Sequence, residues 1–79
     1  MRYAIVIEKA ENNYAAYVPD LPGCIATGRT VEETEQQIRE AIEFHLRGMR
    51  DDGLPIPKSV SQVDYVEVPT CEFHRSVGK

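Results

Sequence analysis

"PDLPGCIATGRTVEE", residues 19–33, decides how this chain folds. Two prolines and two glycines stand directly before a helix start. Pro19 has no N–H, so regular strand pairing stops there. "LPGC", residues 21–24, spells a type II turn. Pro22 presets the first torsion pair, and Gly23 accepts the positive φ that the next one demands. "CIAT", residues 24–27, is just long enough for a short strand, and Gly28 then bends the chain again. Thr30 with Glu33 three residues on forms a capping box, so a helix begins at residue 31. Asp20, Pro22, Gly23 and Gly28 therefore read as corner residues first, with partner contact a second role for Asp20.

Before this corner, "RYAIVIE", residues 2–8, is rich in β-branched residues. Tyr3, Ile5 and Ile7 share one side, and Ala4, Val6 and Glu8 the other. Both sides are apolar in the middle, which predicts a central strand. "KAENN" supplies a hairpin loop, because asparagine tolerates left-handed backbone. "YAAYV", residues 14–18, is the return strand.

After the corner, Val31, Ile38, Ile42, Leu46 and Met49 recur near the helical period, flanked by Thr34, Ala41 and His45. The helix is predicted over residues 31–50. Gly53 ends it, and Pro55 and Pro57 prevent continuation. "VDYVEV", residues 63–68, alternates as a fourth strand with a half-exposed face. Phe73 is expected to pack back or to extend the sheet, and the last residues to fray. The predicted order is β-β-β-α-β, an α+β fold of one small sheet covered on one face by one main helix. The second sheet face has no helix to cover it, and an uncovered apolar face is a partner surface.

The totals set limits. With 79 residues the chain is one domain, and such a chain buries only about 60% of its unfolded surface. Small folds of this kind often rely on association. Thirteen acidic residues against nine basic give a net charge of −4, which argues mildly against bare nucleic-acid binding and is compatible with a basic protein partner, although solubility is the commoner reason for so small a charge. Cys24 and Cys71 are too few to staple the fold. A disulfide between them is unforced, and reduced thiols in the cytoplasm are expected. No apolar run reaches the length of a membrane span, and the N-terminus lacks a signal peptide's apolar region.

No catalytic constellation stands out. Glu8, Glu40, Glu43 and Asp64 are the carboxylates that could gather round a metal, but each is also an ordinary surface residue. Cys24 with His45 is the only thiol and base pairing, and no third group orients it. Arg29, Arg47, Arg50 and Lys58 are separated by acidic residues. The tyrosines at 3, 14, 17 and 65 read as strand formers with one wet edge rather than as RNA-stacking groups. No cofactor is expected.

The strand pair, then "YVPDLPGCIATGRTVEE", then a helix reading "EQQIREAIEFHL", resembles the HicB-like antitoxins of type II toxin–antitoxin pairs. The resemblance covers roughly residues 1–68. It implies a truncated ribonuclease-H-like unit without a catalytic set. It implies a non-enzymatic binding module that neutralises a small basic mRNA-cleaving toxin, HicA, by covering its active face. It also implies dimers or tetramers. Tyr17, Asp20 and Arg29 are the residues expected at the partner contact, with Thr30 and Glu33 as the helix cap. Members of that family carry a C-terminal DNA-binding domain. This sequence stops at Lys79, so no such domain and no direct DNA binding are expected. Arg29 also stands where the family often has an acidic residue or Ser, and Thr34 where it often has Ala. Two rival readings are an oligomeric scaffold without a toxin and a residual metal-dependent nuclease.

Overall fold

The computed structural model describes residues 1–69. Three strands precede one helix: β1 (Val6–Lys9), β2 (Tyr14–Tyr17), β3 (Ile25–Gly28) and α1 (Val31–Asp51). The sheet is antiparallel in the order β1-β2-β3, with Ile7 opposite Ala16 and Ala16 opposite Ala26. The α+β class and the β-β-β-α order are those the sequence predicts.

Two expectations are corrected. Residues 63–68 form no strand and lie exposed, because no described strand pairs with them. Residues 2–8 do not make a central strand. Only Val6–Lys9 pairs, on one side alone, and β2 takes the centre. Phe73 and Cys71 lie outside the described residues.

The corner is built from two successive turns. Leu21 N–H donates to the Val18 carbonyl at 3.0 Å, and Cys24 N–H donates to the Leu21 carbonyl at 3.1 Å. Pro19 and Pro22 each occupy the second position of a turn, where their fixed φ is required. Gly23 has φ +85°, the positive value foreseen for the type II turn. Val18 N–H then reaches the Cys24 carbonyl at 3.3 Å and closes the loop. The folded-back backbone drives the Leu21 side chain fully into the core. Residues 18–24 thus contribute Val18, Leu21 and Cys24 to a core completed by Ala16 and Ile38. Burying a side chain such as Leu21 or Ile38 stabilises the fold by about 1.5–3 kcal/mol.

The helix begins as the capping box dictates. Glu33 N–H donates to Thr30 Oγ1 at 3.0 Å. The Glu33 carboxylate accepts from Arg29 N–H at 3.2 Å, one residue earlier than the usual reciprocal bond. The helix ends at Asp52. Gly53 follows at φ +73°, its N–H on the Arg50 carbonyl and Leu54 N–H on the Met49 carbonyl. Those two bonds are the Schellman pattern, which requires the left-handed residue that glycine supplies.

The helix crosses β3 and β2. Ile38 is buried and Ile42 and Leu46 are partly so, as the stripe predicts, but Val31 at the first position is exposed. Thr34 is fully buried, and its hydroxyl donates to the Thr30 carbonyl at 2.7 Å. It lies against Gly28 so closely that a Cβ there would meet Thr34 Oγ1 at 2.6 Å and its backbone nitrogen at 2.7 Å. Gly28 is therefore a packing glycine as well as a bend.

Gly28→Ala should destabilise the domain by about 1–3 kcal/mol through overpacking against Thr34, read as a lower urea midpoint with an unchanged slope. Thr30→Ala should cost about 1 kcal/mol in the same measurement by removing the cap.

Candidate protein-binding surface

Strand alternation sends Ile7, Ala16 and Ala26 toward the helix, and their neighbours the other way. The outward row is Val6, Tyr17 and Ile25, paired across the sheet in register. No helix of the described residues covers it. Tyr17 is 41% exposed and Ile25 69%. The next row, Glu8, Ala15 and Thr27, is more polar. An apolar row thus lies beside acidic and hydroxyl groups on the sheet face opposite the helix.

The residues expected at a contact fall in three places. Tyr17 lies on the apolar row. Arg29 is exposed at the start of the helix, its backbone N–H held by Glu33. Asp20 is occupied inside the molecule. Its Oδ2 accepts from the Val60 and Ser61 N–H groups, each at 3.0 Å, and its Oδ1 accepts from the Ser61 hydroxyl at 2.8 Å. Asp20 therefore ties the corner to the segment that follows the helix. Tyr3 ties the same segment a few residues earlier, its hydroxyl donating to the Pro57 carbonyl. Ile25 was legible only as part of a short strand. The Asp20 anchor joins residues about forty positions apart, and no local pattern announces it.

These bonds lower the Asp20 pKa. The Ser61 backbone and hydroxyl donors act most strongly, desolvation opposes them, and the Val60 N–H adds to the lowering. The Cys24 thiol is pushed the other way by burial. No hydrogen bond joins Cys24 to His45 among the described residues. Glu8, Glu40, Glu43 and Asp64 likewise do not converge: no cluster of three or more metal-ligating side chains occurs among the described residues. No helix of the described residues is long and apolar enough to cross a membrane.

A three-stranded antiparallel sheet, one crossing helix and an open apolar row define a small α+β domain. The model of the HicB-like antitoxin of bacterial toxin–antitoxin systems matches residues 3–77, and the chain belongs to that family. An uncharacterised 14.9 kDa protein of Haemophilus phage HP1 is 42% identical over 69 residues, covering 87% of this chain and 52% of the phage protein. "Antitoxin HicB 1" of Photorhabdus laumondii is 34% identical over 74 residues, covering 87% of this chain and 46% of that protein. The chain thus spans about half the length of each of these two relatives. A chain of a solved "HicA3 and HicB3 toxin-antitoxin complex" superposes with a TM-score of 0.66 at 28% identity, covering 76% of this chain and 70% of that one.

A lowered folded-state pKa makes the Asp20 contribution present above the unfolded value and lost as pH falls through the folded one. The Val60 and Ser61 amide resonances should therefore titrate together, with a midpoint below that of an ordinary aspartate. Asp20→Ala should abolish that titration and raise amide exchange at residues 60 and 61, leaving the helix signals unchanged.

Proposed function

We propose that this chain is an antitoxin subunit that binds a small basic, RNA-cleaving toxin of the HicA type and covers its active face. The observation that carries the reading is the open apolar row of Val6, Tyr17 and Ile25 on an acidic chain. The likeness to a chain of a HicA–HicB complex supports the same partner class. The role is binding rather than catalysis. Apolar anchors in the row set residence time, and the negative charge speeds encounter with a basic partner. Tyr17 is the anchor at the centre of the row. Arg29 lies on the rim, and Asp20 acts indirectly by holding the following segment in place. The domain acts as one binding module, and copies of it associate with one another.

The test is co-purification with a HicA-type toxin, followed by an RNA-cleavage assay of the toxin alone and mixed. The mixture should lose cleavage in proportion to complex formed. Ile25→Asp, at an exposed position, should leave the fold intact and weaken the complex by roughly 30-fold or more. An unimpaired toxin in the presence of excess folded antitoxin would refute the proposal.

A further inference from the structure

A helix with its side chains is about 10 Å across and neighbouring strands lie about 4.8 Å apart, so one helix shields two strands of a sheet. Here α1 lies over β3 and β2. The helix side of the first strand and of the residues before it has no such cover, and a cleft of about 570 Å³ opens between residues 1–5 and the helix. Ile38, Ile42 and Leu46 from the helix, with Tyr3 and Ile5 from the facing chain, give it an apolar floor. The cleft runs on into a hollow of about 480 Å³ that reaches Ile56, and Met1, Glu43 and Leu46 line both. From Glu35 to Arg50 the groove follows α1 for about 23 Å, the length of about 15 residues of a second helix.

The chain carries a net charge of −4, yet the rim of this groove is positive. Arg2, Arg39, Arg47 and Arg50 stand along it, against Glu35 and Glu43. They are four of the nine Lys and Arg residues of the sequence, so the basic groups are concentrated here. All four are exposed. Among the described residues only Arg39 has a side-chain hydrogen-bond partner, the Gln36 amide oxygen at 3.2 Å. Glu35 and Glu43 each precede an arginine by one helical turn, which steadies Arg39 and Arg47 without cancelling the excess. The negative end of the helix accounts for Arg50, but not for Arg2 or Arg39, which lie far from it.

We propose that this groove seats an acidic amphipathic helix of another protein, laid beside α1 over the uncovered edge of the sheet. Its apolar stripe rests on Tyr3, Ile5, Ile42 and Leu46, and carboxylates on its flanks meet the arginine forks, whose planar geometry matches them. The chain's own segments are not the occupant. The stretch after the helix meets Arg2–Ala4 around a separate hollow, through Ser59 and Ser61–Asp64. Residues 70–79 hold one acidic residue, Glu72, against Arg75 and Lys79, which is the wrong charge for the rim. The floor is aliphatic with a single tyrosine, so it suits leucine-like side chains rather than stacked bases. An acidic occupant is not the basic toxin of the reading above, and the inference stands whether or not that reading does.

The experiment titrates the full ¹⁵N-labelled chain with a side-chain-stapled helical peptide of about 15 residues, Leu on one stripe and Glu elsewhere. Amides of residues 3–5 and 38–50 should shift, and those of Tyr17 and Ile25 on the far face should not. Arg47→Glu with Arg50→Glu, both at exposed positions, should weaken binding roughly 10-fold or more and leave the helical circular dichroism unchanged. The same peptide with Lys in place of Glu should bind the natural chain poorly and the doubly changed chain better. Absence of shifts at millimolar peptide, or equal binding of the two peptides, would overturn the proposal. Tighter binding of a uridine oligonucleotide at the same residues would overturn it in favour of a nucleic-acid groove. A dimer in sedimentation that the two arginine changes dissolve would overturn it in favour of a second copy.

Discussion

Everything else in this domain hangs on the doubled turn between Val18 and Cys24. Its two prolines are restricted before folding begins, so the reversal costs less entropy when it forms, and its glycine takes the positive φ without steric strain. The reversal plants Leu21 in the core, lines up β3 beside β2 and delivers Gly28 to the underside of the helix at Thr34. In a chain with a thin core, a buried leucine held by backbone geometry is a large part of the available apolar stabilisation. The same corner turns Asp20 toward the segment beyond the helix, so one loop organises the sheet, the helix and residues 60–61.

The exposed apolar surface is a consequence of that arrangement. One helix covers only one side of a sheet, and its path over β2 and β3 leaves two apolar regions unshielded. The outward row of Val6, Tyr17 and Ile25 lies on the far face. The cleft beside residues 1–5 lies on the helix side. The two are separate surfaces. Membership of the HicB-like antitoxin family places the domain among antitoxins of bacterial toxin–antitoxin systems.

Asp20 shows how a residue can be read correctly in type and incompletely in role. Its position in a Pro-rich turn marks it as structural, since aspartate favours turns through local backbone bonds. Its actual partners are two amides and a hydroxyl some forty residues away. Turn chemistry is local and therefore legible. A carboxylate's choice among distant donors is made by the assembled backbone. The same holds for the β1 strand. Apolar residues on both faces of "RYAIVIE" describe the environment a central strand requires, and among the described residues β1 stands at the sheet edge.

The amino-acid sequence alone determined the strand–turn–strand–corner–helix order, the type II turn at Gly23, the cap at Thr30 and the helix stop at Gly53. Each of these rests on torsional preference or on bonds spanning a few residues. Tertiary structure decided that β2 rather than β1 is central, that Thr34 is buried against a glycine, and that residues 63–68 form no strand. Those outcomes depend on which surfaces meet, and periodicity records only that a residue seeks cover, never which element will provide it.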